Sequence, residues 1–184
     1  MASHRYSHRR VSIFVALLLS APYIAAETES TQPPQRPSTN IVILLVDDLG
    51  WGDVGYHNPE VATPNIDNIA ARGVEFDRFY VNPTCSPTRA SLLTGQFSTT
   101  HGINGPIQWH SEGGLPLEWQ TLPGYLKRAG YQTHLVGKWH LGAASTAYWP
   151  QHRGFDSFYG HLNGGIGYFD HVFSGGLDLS LIHI

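Results

Sequence analysis

The run Asn40-Ile41-Val42-Ile43-Leu44-Leu45-Val46 restricts the fold more than any other stretch of the chain. A nearly continuous row of β-branched and leucine residues predicts a strand buried on both faces. That places it centrally in a parallel sheet and the chain in the α/β class. Two acids follow at once, Asp47 and Asp48, and then Leu49-Gly50-Trp51-Gly52-Asp53. Ligands of open α/β sheets bind beyond the carboxyl ends of the strands. Adjacent carboxylates repel unless a cation or protons relieve the charge, and a hard divalent ion held through oxygen does so naturally. The alternative is that Asp47 caps a turn and Asp48 is solvated. The residues themselves leave both readings open.

The second constraint is Cys85-Ser86-Pro87-Thr88-Arg89, continued by Ala90-Ser91-Leu92-Leu93-Thr94-Gly95. Cys85 is the only cysteine of the 184 residues, which excludes a disulfide framework within the chain. Pro87 in a first turn, Leu92 and Leu93, and Gly95 as a stop predict a short helix starting at or just after Cys85. The free N–H groups and dipole at such a helix start favour negative charge, and Arg89 lies about one turn on. A sulfur nucleophile would be stabilised there. A small thiol buried under a helix is the competing reading.

The rest of the chain supplies a frame. Thr63 to Gly73 predicts a structural helix, with Thr63 as N-cap, Pro64 at the first position and Gly73 as stop. Val74 to Tyr80 alternates and predicts a short strand delivering the chain to the Cys85 loop. Gln96 to Gln120 is a loop suited to a substrate-side wall. Thr121 to Ala129 predicts a helix with Lys127 and Arg128 in its last turn, and Tyr131 to Val136 a strand. That strand ends in Gly137-Lys138-Trp139-His140-Leu141-Gly142. If it runs parallel to Asn40–Val46, Lys138 and His140 emerge beside Asp47 and Asp48, with Trp139 opposite. A cation and an imidazole suit an oxyanion; an exposed basic turn is the alternative. The aromatics from Tyr148 to Asp170 form either a packed layer or a pocket rim.

Bulk properties bound the function. A net charge of −3 gives no support for nucleic-acid binding. Residues 1–26 have the basic, apolar and small-residue layout of a cleaved signal peptide, and the apolar run is short for a membrane anchor. No stable membrane span is expected after cleavage. Residues 27–39 carry Pro33, Pro34 and Pro37 and predict a flexible leader. Among eleven histidines, most are expected to serve structure.

Four blocks resemble the type I sulfatases in order and spacing. They are Leu45-Val46-Asp47-Asp48-Leu49-Gly50-Trp51, the Cys85 run, Gly137 to Gly142, and Arg153-Gly154-Phe155-Asp156. Thr133-His134-Leu135-Val136 and the aromatic run after Gly154 are most similar to the arylsulfatase B, I and J group. The likeness runs over residues 40–179, read as the N-terminal part of a catalytic domain. It implies an alkaline-phosphatase-like α/β fold with a mixed, largely parallel central sheet, incomplete in this chain. It also implies that Asp47, Asp48 and a formylglycine made from Cys85 contribute to a Ca2+ site. The formylglycine would be the nucleophile, Arg89 would steady it, Lys138 would hold the sulfate, and His140 would assist proton transfer. The implied partners are a sulfate ester, such as N-acetylgalactosamine 4-sulfate, and a formylglycine-generating enzyme. The implied location is lysosomal or secreted. Relatives are far longer, and their later half supplies further metal ligands, a second His and a second Lys. Residues 180–184 leave the family pattern and are expected to be a divergent tail after a truncation, in a chain of little activity and poor solubility. The competing functions are a metal-dependent phosphatase or phosphodiesterase of the same superfold, which would use Ser or Thr at position 85, and a non-catalytic secreted metal-binding module.

Overall fold

A computed structural model describes residues 39–183, so the predicted signal peptide and most of the leader lie outside the described residues. Its centre is a mixed sheet of three strands. β1 (His134–Lys138) pairs in parallel with β2 (Ser157–His161), and β2 pairs antiparallel with β5 (Leu179–His183). The stretch expected as a divergent tail thus supplies a strand. A small hairpin, β3 (Val172–Phe173) with β4 (Gly176–Leu177), precedes it. The helices are α1 (Pro64–Arg72), α2 (Cys85–Thr94), α3 (Ser98–His101) and α4 (Leu122–Arg128). No helix among the described residues is long and apolar enough to cross a membrane.

The predicted helices form where their punctuation places them, but their caps act differently. Thr63 stands at the N-cap of α1 without bonding a helical N–H. Its hydroxyl accepts from Gly55 N–H at 2.7 Å and donates to Asp67 Oδ1 at 2.7 Å, stapling α1 to the loop that follows the acidic pair. Thr121, before α4, likewise donates to the Arg153 carbonyl. A hydroxyl that can reach a tertiary partner is recruited away from local capping.

Two predicted strands do not form. Residues 40–46 are extended but belong to no ladder, and Ile41 to Val46 are 41–79% exposed. A strand apolar on both faces needs neighbours on both edges and cover on both faces. Among the described residues it has neither. Its alternation survives in one respect: Ile41, Ile43, Leu45 and Asp47 line a cavity of about 420 Å3 shared with β1, α2 and α4. Residues 74–80 are also irregular, and Phe76, Phe79 and Tyr80 are exposed.

The core borders this cavity and shares Trp139 and Phe155 with its lining. Ala90, Leu115, Trp139, Leu141, Phe155, Phe158 and Leu162 pack together, with Trp139 edge-on to Phe155 at 6.2 Å between ring centres. The aromatic run therefore divides. Phe155 and Phe158 are core, while Tyr168 and Phe169 stand exposed beside the hairpin. Gly137 and Gly160 face each other in the β1–β2 register, and a Cβ at 160 would run into the Gly137 carbonyl. The block around Arg153 secures α4 and the start of β1. The Asp156 carboxylate binds Lys127 Nζ at 2.6 Å and Thr133 N–H at 2.8 Å, and Arg153 is buried among the carbonyls of Pro116, Leu117 and Trp119.

Phe158→Ala should lower stability by about 3–5 kcal/mol, read from the urea midpoint. The bonds from Lys127 and Thr133 hold the Asp156 carboxyl down at about 2. A depressed carboxyl contributes stability that is complete above its unfolded value and is lost as pH falls through the folded one. Asp156→Asn should therefore melt below wild type at pH 6, and the gap should narrow once pH falls below about 4.

Candidate active site

The site assembles where the start of α2 meets the turn after β1. Cys85 is the first residue of α2 and Gly95 closes the helix in the left-handed conformation, as the sequence predicts. Ser86 and Arg89 sit three residues apart, on one face, and both are buried. Each grips the backbone of the turn: Ser86 Oγ donates to the His140 carbonyl at 2.9 Å, and Arg89 Nη1 donates to the Lys138 carbonyl at 2.7 Å.

Arg89 Nη2 also reaches Asp47 Oδ1 at 3.0 Å, and Lys138 Nζ reaches Asp47 Oδ2 at 2.7 Å. One carboxylate thus bridges two cations drawn from α2 and β1. Burial alone would raise the Asp47 carboxyl; the hydrogen bonds from Lys138 and Arg89, with their charges, outweigh it and hold the group below its ordinary value. Asp48 turns away from extended backbone into the left-handed region, at φ 58°.

His140 is the other left-handed residue of the site, also at φ 58°. Such a conformation costs a non-glycine residue about 1–3 kcal/mol unless its surroundings enforce it. Here it breaks the strand alternation, sinks Trp139 into the core and swings the imidazole toward α2. His140 Nδ1 lies 3.1 Å from Cys85 Sγ, and Nε2 lies 2.9 Å from the Ile107 carbonyl. A carbonyl only accepts, so Nε2 carries the proton and Nδ1 of the neutral ring accepts from residue 85. Burial pushes the His140 pKa down, aided by the charges of Lys138 and Arg89 and opposed by the Ile107 bond. The ring is covered by Gly164: a Cβ there would come within 2.7 Å of His140 Cε1.

Of the sequence-predicted residues, Asp47, Arg89 and Lys138 thus come together as a trio and Cys85 and His140 as a pair, and among the described residues no hydrogen bond or ion pair ties Asp48 to either. As a metal centre the set is partial. Asp47 and Asp48 fit a hard cation in kind, yet both Asp47 oxygens are engaged by cations. Among the described residues no three His, Cys, Asp or Glu side chains gather as a metal site. Cys85 contacts His140. Ca2+ wants roughly six to eight oxygens, so these donors fall short in number and no step is routed through a metal. Three contributors had no signal of their own in the sequence. Ser86 reads as a spacer within the cysteine run, Ile107 acts through its backbone, and Gly164 acts through the absence of a side chain. Of the other histidines, buried His101 accepts from Ile103 N–H at 3.1 Å through Nδ1 and meets Ser91 Oγ of α2 at 3.1 Å through Nε2, so it ties α3 to α2.

An α/β fragment with a cysteine at a helix start, facing an imidazole and a Lys–Asp–Arg bridge, defines a hydrolase-like site. A family profile described as Sulfatase matches residues 39–177, and the chain belongs to the sulfatase family. It is 42% identical over 150 residues to arylsulfatase J of Mus musculus, covering 79% of this chain and 24% of that protein. It is 46% identical over 147 residues to N-acetylgalactosamine-6-sulfatase of Homo sapiens, covering 74% and 28%. The crystal structure of Ps i-CgsB in complex with k-i-k-neocarrahexaose superposes with a TM-score of 0.65 at 37% identity, over 70% of this chain and 29% of that one. The chain thus spans about a quarter of the length of these relatives, with the incomplete alkaline-phosphatase-like sheet expected of such a portion.

Arg89→Lys should keep one contact of the guanidinium fork and lose the other. The expected cost is about 1–3 kcal/mol, checked by urea denaturation.

Proposed function

We propose that this chain is the N-terminal part of a sulfuric ester hydrolase whose nucleophile is made from Cys85. The observation that carries the reading is the contact between Cys85 Sγ and His140 Nδ1 at the head of α2, beside the Asp47–Lys138–Arg89 bridge. Oxidised to formylglycine by a formylglycine-generating enzyme, with dioxygen as the oxidant and the sulfur lost, residue 85 would add water to form an aldehyde hydrate, one hydroxyl of which would attack the sulfur of a sulfate ester and expel the alcohol. The net reaction consumes water and yields an alcohol and sulfate.

The neighbouring residues have defined tasks in that reaction. His140 Nδ1, bare and aimed at residue 85, accepts a proton from it. Lys138 supplies positive charge for the sulfate oxygens, and Asp47 holds its ammonium in place. Arg89 locks the turn that presents both Lys138 and His140, and keeps a second positive charge near the head of α2. Asp47 and Asp48 would contribute carboxylates to a Ca2+ site completed by ligands beyond this chain, and that ion would offset charge on the transferring group. The proposed substrate is a sulfated glycosaminoglycan sugar, a sulfated N-acetylgalactosamine, in line with the named specificity of one relative. The proposed location is the secretory pathway, leading to the lysosome or outside the cell.

Two measurements test this. The chain is co-expressed in a secretory compartment with a formylglycine-generating enzyme, and the peptide containing residue 85 is analysed by mass spectrometry. An aldehyde at residue 85 is expected; a thiol in all of the secreted protein would favour a non-catalytic module instead. Turnover of an aryl sulfate by this chain alone should fall far below that of full-length arylsulfatase J. Comparable rates would refute the need for the remaining ligands. Where turnover is measurable, N-acetylgalactosamine 4-sulfate and 6-sulfate in parallel would separate the two ester positions.

A further inference from the structure

We infer that Ser86 is a positioning residue for His140: its buried hydroxyl, acting through the backbone of Ile107, fixes which imidazole nitrogen carries the proton. The inference rests on the sulfatase reading above and deepens it. Three hydrogen bonds close a ring through Ser86, His140 and Ile107, and a fourth ties it to residue 85. Ser86 Oγ donates to the His140 carbonyl at 2.9 Å and accepts from Ile107 N–H at 3.1 Å. The Ile107 carbonyl accepts from His140 Nε2 at 2.9 Å, and His140 Nδ1 faces Cys85 Sγ at 3.1 Å.

Each link constrains the next. Ser86 is 0% exposed, so no bulk water can replace its partners. Its single O–H is committed to the His140 carbonyl, which leaves its oxygen as the acceptor for Ile107 N–H. That bond anchors the 106–107 peptide, and the carbonyl that His140 Nε2 meets belongs to the next peptide of the same anchored segment, one φ and ψ further on. A ring nitrogen facing a carbonyl must bear the hydrogen, so the nitrogen facing residue 85 is bare. Because Ser86 adjoins Cys85 in the first turn of α2, the imidazole and the reactive side chain are referenced to the same rigid turn. Without the hydroxyl, the His140 carbonyl and Ile107 N–H both lose a buried partner. The segment that carries the Ile107 carbonyl then loses an anchor, and the imidazole can adopt either tautomer. Ser86 itself touches neither residue 85's sulfur nor a substrate position; it acts through His140.

The test uses the full chain, 15N-labelled, with the His140 ring signals assigned from their loss in His140→Gln. In wild type, Nε2 should be protonated and Nδ1 bare. Ser86→Ala should show both tautomers at His140, and the Ile107 amide should exchange with solvent at least about tenfold faster. Ser86→Thr keeps a hydroxyl and should restore a single tautomer and slow exchange. Unchanged tautomer and exchange in folded Ser86→Ala would overturn the inference. So would a wild-type His140 protonated at Nδ1, an outcome that stands even if Ser86→Ala fails to fold. None of these readouts requires conversion of Cys85 or turnover. The expected tautomer, together with a thiol at residue 85 in all of the protein secreted alongside a formylglycine-generating enzyme, would therefore sink the sulfatase reading while leaving the positioning role of Ser86 in place.

Discussion

The grip of one helical face on one turn underlies the whole site. Ser86 and Arg89, three apart on α2, bind the carbonyls of His140 and Lys138, which alternate along the turn. Side chain to backbone bonds of this kind register two elements to within a fraction of an ångström, because neither end can slide without losing a buried partner. Arg89 adds electrostatic weight. A guanidinium this buried, with its Nε unpaired among the described residues, would be costly without an opposing charge. Asp47 meets that need, so the acid that ends the first extended segment is fixed by a cation from α2.

The same bridge explains why the site is closely balanced. Asp47 shares its two oxygens between Arg89 and Lys138. An anion that draws on Lys138, or a cation that draws on Asp47, enters a competition already present in the protein. Occupation at either position changes what the other feels, because one carboxylate mediates both. That coupling follows from Coulomb interactions over hydrogen-bond distances in a partly buried setting.

What could be read in the sequence follows from the range of the forces involved. The helices were legible because their starts and stops are local: Pro64, Gly73, Pro87 and Gly95 act within a turn of themselves. Cys85, Arg89, Lys138 and His140 were legible as candidates because their spacing marks a chemistry and a family. The two strands that failed, 40–46 and 74–80, depend on partners, which no local pattern guarantees. The geometry of His140 was not legible either. Strand alternation predicts it beside Lys138, whereas a left-handed residue redirects it to residue 85, enforced by the backbone of Ile107 and the surface of Gly164. Contacts made by main chain, or by a missing side chain, leave no compositional trace.

Gly164 carries a consequence for how such a site can diverge. The imidazole lies against a residue with no side chain, and a Cβ there would press on its Cε1 and both ring nitrogens. Drift at position 164 is therefore tied to position 140. A Cβ at 164 would force the imidazole of His140 out of its present place. With the imidazole in place, the loop above it can change its charges and its tip more readily than that one hydrogen atom.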